Sequence, residues 1–408
     1  MNQHIAMAFR NVLRNFRRSS FAAATIAIGG LALIAFVGYM LATFSAIRES
    51  TIRGGVGHFQ IARQGQFDGY AEKPLQFGLD AAEQDAVSSN LERDTRVRRV
   101  VPRLNFGGLI SNGDQTLTFQ GVGVQPNIEQ QAFGSFQVIS SGHRLNSDIA
   151  RANEVLLGKE MARRLGVKPG DQVTLMTSTV KGALNAIDVT VAGLVATGNP
   201  DSELYLLQIP IAAAQELLRT NKISLFAVLL QNNSESLVAM PILPRSASQW
   251  EVREWRQLVP VYDQVVALYR NQFVVFGSII ALVVFLSVGT TTLTSIFERS
   301  REIGTLRAMG ISESNVRLMF SLEGLILGFG GSVAAGSASF LIINVVNKLR
   351  ITMPPPPGRN VGAVLHLEWD WVVAAEILTF LIFLCGAASW IISRRVARMQ
   401  IVSALASA

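Results

Sequence analysis

FAAATIAIGGLALIAFVGYMLATF, residues 21–44, contains no charged side chain. A bilayer core takes about 20 apolar residues in an α-helix, so this stretch is long enough to span. Its apolar run outlasts the ~7–15 residue core of a secretory signal. Phe44 is also too bulky for a small-residue cleavage site before Ile47, so the reading is a retained helix. Three further stretches read the same way. Residues 273–297 are uncharged, 318–346 are interrupted only by Glu323, and 371–392 only by Glu376. The expected fold is therefore an α-helical membrane protein. Four transmembrane helices carry a large α+β extracytoplasmic domain inserted between the first and the second.

Composition agrees. Of 408 residues, 49% are hydrophobic and 16% charged, against about 25% charged in soluble proteins. The mean hydropathy is +0.33. An ordinary soluble enzyme and a disordered chain are both disfavoured. The single cysteine, Cys385, excludes an intramolecular disulfide. His4, His58, His143 and His366 are dispersed and suggest no zinc site. The net charge of +7 is largely topological. Arg10, Arg14, Arg17 and Arg18 precede the first span. Arg299, Arg301, Arg307 and Arg317 lie between the second and third, and Arg394, Arg395 and Arg398 follow the fourth. The positive-inside rule assigns these segments and both termini to the cytoplasm. Trp369, Trp371 and Trp390 sit where an aromatic belt belongs. No basic stripe marks a nucleic-acid-binding module.

Residues 45–270 then lie outside, at a size that can support its own core. Residues 106–111 and 115–124 flank Asn112-Gly113, a hairpin signal. Strands are expected at 154–158, 172–177, 187–195 and 205–209, and 225–230 is a further apolar run. Helices are expected at 159–165 and 211–219, with a turn at 168–171. The apolar segments 133–139 and 204–209 read as core strands or as walls of a lipid-binding groove. Residues 45–53 and 261–270 are expected stalks to the first two spans. The second outside loop, 347–370, holds four consecutive prolines, Pro354 to Pro357. They predict a stiff polyproline stretch, either a rigid turn or a docking site.

The inside loop carries the most ordered motif, Glu298-Arg299-Ser300-Arg301-Glu302-Ile303-Gly304-Thr305-Leu306-Arg307-Ala308-Met309-Gly310. Glu298 and Glu302 lie one turn apart. Ile303, Leu306, Ala308 and Met309 form an apolar side opposite the charges. Gly310 is a natural helix stop and Ser312 a cap for the next helix. The spacing predicts a short amphipathic helix along the membrane face, either a partner-binding element or a plain interfacial anchor.

This motif resembles the signature of the FtsX/MacB family of ABC-transporter permeases (type VII, the mechanotransmission class). The resemblance covers nearly the whole chain. Residues 8–15, AFRNVLRN, resemble the family's N-terminal amphipathic helix. VLLG at 155–158 through LGVKPGD at 165–171 resembles its extracytoplasmic core domain, and ARMQIVSAL at 397–405 its tail. Members without a fused ATPase that look most similar are the LolC/LolE-type lipoprotein-releasing permeases. The resemblance implies a dimer of identical or paralogous permeases with two cytoplasmic ABC ATPase subunits. ATP and Mg would be held by those subunits, with no cofactor or metal on this chain. It implies that Glu298, Arg299, Arg301, Glu302, Ile303, Gly304, Leu306, Arg307, Met309 and Gly310 form the ATPase-coupling helix. Replacing Glu302 and Arg307 together is then expected to uncouple the ATPase. The implied cargo is lipoprotein or a similar hydrophobic molecule, moved from the periplasmic side of the bacterial inner membrane. A tripartite exporter with a periplasmic adaptor and outer-membrane channel, or FtsX-like signalling to a cell-wall hydrolase, are the alternatives.

No Gly-x4-Gly-Lys-Ser/Thr loop is present, so the usual phosphate cradle is lacking. Ser141, His143 and Asp148 are close in sequence, which does not make a triad. The chain reads as a permease with no catalytic residue of its own. Glu323 and Glu376 sit in apolar spans, where charge is costly. They are paired or solvated near the span ends, or else carry protons. Gly324, Gly328, Ser332 and Gly336 recur every four residues, a helix-packing seam within the bundle or against a second protomer. Gly328→Leu is expected to break that assembly.

Overall fold

The computed structural model describes residues 9–12, 14, 16–69, 75, 77–134, 137–146, 153–231, 249–353 and 364–397. The proline run at 354–357, Asp148, His4, and most of the tail motif at 398–405 lie outside them, as do Ala8, Leu13 and Asn15 of the N-terminal motif. The chain forms two compact units. One comprises residues 1–45, 264–352 and 364–408, and the other residues 46–263 and 353–363.

In the first unit, four helices are long and apolar enough to cross a membrane: Phe16–Val56, Val261–Glu298, Glu313–Leu349 and Trp371–Arg394. Each helix outruns its uncharged stretch, because helical propensity does not stop where the apolar run does. The third is capped by the Ser312 side chain, which accepts from the Asn315 amide. Gly310, at φ 93°, turns the chain just before it. The bundle core joins Ile26, Leu33 and Val37 to Val284, Val288, Ile377 and Leu381. Backbones approach where side chains are small. A side chain at Gly30 would run into Ala335 and Leu381. Near one end of the fourth span, Trp369 and Trp371 stack edge-on at 5.2 Å beside Phe340. Asn347 exchanges two hydrogen bonds with the Leu367 backbone, both 2.9 Å.

The second unit is a ten-stranded sheet with helices. Its strands are β1 (Phe59–Arg63), β2 (Val97–Ser111), β3 (Thr116–Val124), β4 (Val138–Gly142), β5 (Glu154–Gly158), β6 (Gln172–Ser178), β7 (Leu184–Ala196), β8 (Leu206–Pro210), β9 (Leu225–Leu230) and β10 (Trp250–Glu254). Their order is β10-β1-β9-β2-β3-β8-β5-β7-β4, with β6 bridging β2 and β7. The Asn112-Gly113 hairpin forms, with Gly113 at φ 97° and β2 paired to β3 from Arg103↔Val124 to Ser111↔Thr116. Helices Lys159–Leu165 and Ile211–Leu218 supply Met161, Leu165, Ala214 and Leu217 to a core with Phe106, Leu157, Leu175 and Ile209. Each such fully buried side chain contributes about 1.5–3 kcal/mol, so a core of this size stands without a disulfide.

The sheet separates the two apolar segments. Residues 206–209 form central strand β8, with Leu207 and Ile209 fully buried. Residues 133–139 are not a core strand. Phe133 ends the helix Pro126–Phe133, and Val138 opens β4, an edge strand whose side chains are mostly exposed. Tertiary position, not local hydropathy, distinguishes them. β1, β4, β10 and the helix Ala81–Glu92 carry too little apolar periodicity to stand out in sequence.

The first helix ends in a π-helical turn, Ile52–Val56, with Gly55 at φ 132°. Arg103 of β2 holds this turn, donating from Nη1 to the Gly55 carbonyl at 2.5 Å and from Nη2 to Glu129 at 2.5 Å. His58 follows, its carbonyl accepting from the Trp255 amide at 3.1 Å and its Nδ1 from the Leu230 amide at 3.1 Å.

Candidate functional site

The motif between the second and third spans folds as a separate short helix, Ser300–Ala308, offset from the second span at Arg299. Arg299 has φ −108° and ψ 13°, outside the helical range. The break turns the motif away from the axis of the span, and Gly310 ends it on the other side.

One side of this helix is built into the bundle. Ile303 packs with Ile296, Val316, Met319 and Phe320. Gly304 is buried beside it. Arg299 is only 7% exposed. Its guanidinium lies 5.9 Å from the centre of the Phe320 ring and pairs through Nη1 with Glu323 at 2.9 Å. Its Nε meets Glu302 at 3.1 Å. Glu323 also accepts from Asn11 Nδ2 at 2.7 Å. The N-terminal segment is tied in twice more, by Arg18 to Glu298 at 2.6 Å and Arg14 to Glu302 at 3.5 Å. Arg307 binds Glu313 at 3.0 Å, which also holds Arg317 at 3.1 Å. The hydrogen bond from Arg299 holds the Glu302 carboxyl below the usual carboxylate range. A cavity of about 30 Å³ beside Glu323 is lined by Asn11, Ser19, Thr291, Thr292 and Ser295.

The other side is open. Arg301, Thr305, Ala308, Met309 and Gly310 are exposed, Met309 to 69%. Nine of the ten motif residues thus divide, and the side chain of Leu306 lies outside those the structure describes. Arg299, Ile303 and Gly304 are inward supports. Glu298, Glu302 and Arg307 are engaged in ion pairs within the chain. The apolar side expected from the spacing is split, since Ile303 faces in while Met309 and Ala308 face out. Ile303 and Met309 are six residues apart, about 120° around a helix of 3.6 residues per turn, so burying one leaves the other facing out.

The two intramembrane acids also differ. Glu323 is buried and paired as described. Glu376 is exposed on the fourth helix. Gly324, Gly328, Ser332 and Gly336 all face the fourth span. A side chain at Gly328 would stand 3.0 Å from Cys385 Cβ and Ile382 Cα, and one at Gly336 3.1 Å from Leu378. Ser332 donates to the Leu378 carbonyl at 3.3 Å. Gly324 abuts Ser389 and Cys385. The seam therefore packs against the fourth span of the same chain. Asn11 as a second partner for Glu323 escaped sequence reasoning, because the two are far apart in the chain.

Residues 19–239 match the MacB-like periplasmic core domain, and residues 274–401 the FtsX-like permease C-terminal domain. The lipoprotein-releasing system transmembrane protein LolC of Neisseria meningitidis is 27% identical over 60% of this chain and 62% of its own. The chain therefore covers less than two thirds of that relative. LolC of Haemophilus influenzae is 22% identical over 71% of this chain and 74% of its own. LolE of the same organism is 21% identical over 75% and 72%. With one family spanning more than half the sequence and a second covering its last three helices, the chain belongs to the FtsX-like permeases with a MacB-like periplasmic core domain.

Proposed function

We propose that this chain is the permease subunit of an ATP-driven transporter of the bacterial inner membrane, with both termini in the cytoplasm. It works with a second permease protomer and a separate ABC ATPase that holds ATP and Mg. Its cargo is lipoprotein or a lipid-like molecule taken up from the periplasmic side. The arginine-rich flanks support the orientation. The relatives named for lipoprotein release support the cargo class. The observation that carries ATP coupling is the two-sided helix Ser300–Ala308. Its inner side is fastened by Ile303 and Arg299, while Arg301, Thr305 and Met309 stand exposed. A helix anchored on one side and unpartnered on the other passes displacement from a bound subunit into the spans. A 69% exposed Met309 suits an apolar pocket on such a subunit, since methionine adapts to irregular surfaces.

The test is a mild-detergent pull-down of the tagged chain with mass spectrometry, run beside Met309→Asp and Arg301→Glu. An ATP-binding subunit that co-purifies with the wild type and is lost from both variants is the expected outcome. Retention of that subunit by both variants would sink the assignment of this face. Recovery of a paralogous permease and lipoprotein supports release of lipoprotein. A periplasmic adaptor without a second permease redirects the reading to a tripartite exporter.

A further inference from the structure

On the amino-terminal side of the first span, the chain leaves positive charge that it does not neutralise. The helix Phe16–Thr51 carries Phe16, Arg17, Arg18 and Phe21 in its first two turns. Phe16 and Phe21 are 69% and 77% exposed. The Ser19 hydroxyl donates to the Val12 carbonyl at 2.9 Å. Seven residues of straight helix would hold those positions about 10 Å apart, so the chain bends between them. The bend lays the helical residues 9–12 against the bundle, where Asn11 reaches Glu323 at 2.7 Å. Phe9 and Arg10 remain exposed, Phe9 to 53%.

Depth and charge together define what meets this surface. Arg17 stands four residues before Phe21, the first residue of the uncharged stretch, which is about 6 Å along the helix. Headgroups add about 5–7 Å on each side of a bilayer core, so Arg17 falls among them. Glu323, which holds Asn11, lies five residues inside the apolar stretch 318–346. Residues 9–12 are therefore fixed at the membrane boundary, where exposed side chains meet lipid. The charges then select the headgroup. Arg14 and Arg18 are turned to Glu302 and Glu298, and Arg299 and Asn11 occupy Glu323. Among the described residues no carboxylate lies within ion-pair distance of Arg10 or Arg17. Two guanidiniums are thus free while every carboxylate beside them is engaged. The surface has no group to receive the ammonium of a zwitterionic headgroup. The positive-inside bias accounts for arginines on this side, but not for this division into paired and unpaired ones.

We propose that Arg10 and Arg17 bind an anionic phospholipid in the leaflet on the amino-terminal side of the first span. Their guanidiniums meet the phosphate, which arginine recognises through paired N–H donors. Phe9, Phe16 and Phe21 lie along the acyl chains. A headgroup of net negative charge, as in phosphatidylglycerol, matches the two unneutralised cations. Each arginine near an anionic surface is worth about five-fold in affinity. The site requires only that the first helix spans a bilayer, and does not depend on the ATP-coupling reading or on the cargo.

The experiment uses the full chain in dodecyl maltoside with equimolar phosphatidylglycerol, phosphatidylethanolamine and phosphatidylcholine of matched chains, and reads bound lipid by native mass spectrometry. Phosphatidylglycerol should be retained about 25-fold over the other two. Arg10→Gln and Arg17→Gln should each lower that preference about five-fold, and the double variant should abolish it. Arg10→Lys with Arg17→Lys keeps the charge and should keep most of the preference, which reads the site even if the glutamine pair lowers stability. Lys181→Gln, an equal charge change at an exposed position of the other unit, should change nothing. A photoactivatable phosphatidylglycerol should label peptides covering residues 9–21. Equal retention of the three lipids by the wild type, a preference that survives the glutamine pair, or labelling confined to other spans overturns the site. Displacement by excess glycerol 3-phosphate would mark a site for soluble anions, and the lipid assignment falls. If the glutamine pair keeps the preference but sheds a co-purifying protein, the surface is a protein contact and the proposal falls. Whether an ATP-binding subunit co-purifies with the wild type is scored separately, so failure here leaves the transporter reading standing.

Discussion

Arg299 Nη1 lies 2.9 Å from Glu323 Oε1, and both side chains are buried where the second and third spans meet the short helix. One guanidinium thus joins three elements, because its Nε also holds Glu302. Removing one partner of such a pair leaves an uncompensated buried charge, which costs about 3–5 kcal/mol. Replacing both with apolar residues of similar volume is often neutral. Arg299→Met should therefore lower the melting temperature of the purified protein sharply, and Arg299→Met with Glu323→Leu should recover most of the loss. A double variant as unstable as the single one would show that the pair is not the fastening.

The glycine seam gives a contrast within one helix. Gly328→Leu forces its side chain against Cys385 and the Ile382 backbone. The third and fourth spans must separate, and overpacking of this kind costs about 1–3 kcal/mol or more. Gly330 has nothing within 4 Å of an added Cβ. Gly330→Ala should be neutral or stabilising by up to about 1 kcal/mol, since alanine is the better helix former. Thermal melts of the two variants in one detergent check this. The Gly328→Leu loss should appear regardless of oligomeric state.

Arg103 should be as sensitive as Arg299 in the other unit. It pairs with Glu129, holds the Gly55 carbonyl, and lies 4.7 Å over the Phe133 ring. Serving two acceptors leaves Arg103 Nε and Glu129 Oε2 without a hydrogen-bond partner among the described residues. Arg103→Met should cost about 3–5 kcal/mol and speed amide exchange over residues 52–58. Unchanged exchange there would dismiss the clamp on the turn.

A pH effect is expected on the surface helix Lys159–Leu165. Hydrogen bonding to Arg163 pulls the Glu160 carboxyl down from its usual 4.5 to about 2. A depressed carboxylate stabilises fully above its unfolded value, and that contribution fades as pH falls toward the folded one. Glu160→Gln should therefore melt below the wild type at pH 7, and the gap should close between about pH 4.5 and pH 2. A gap independent of pH would mean that the ion pair contributes nothing measurable.

The amino-acid sequence by itself determined the four spans, the placement of an α+β unit between the first two, the Asn112-Gly113 hairpin and the β5–helix–turn–β6 run. These follow from local rules: apolar length against bilayer thickness, turn chemistry, and hydrophobic period. It also located the motif between the second and third spans. Only the tertiary structure decided which side of that motif is free. The side chain of Arg299 reaches Glu323, 24 positions on, and Ile303 packs on Val316, Met319 and Phe320 of the third span, which leaves Met309 facing outward. The same holds for Gly328, whose neighbour Cys385 comes from another span. Such features depend on what packs against a residue, and period and composition carry no record of that.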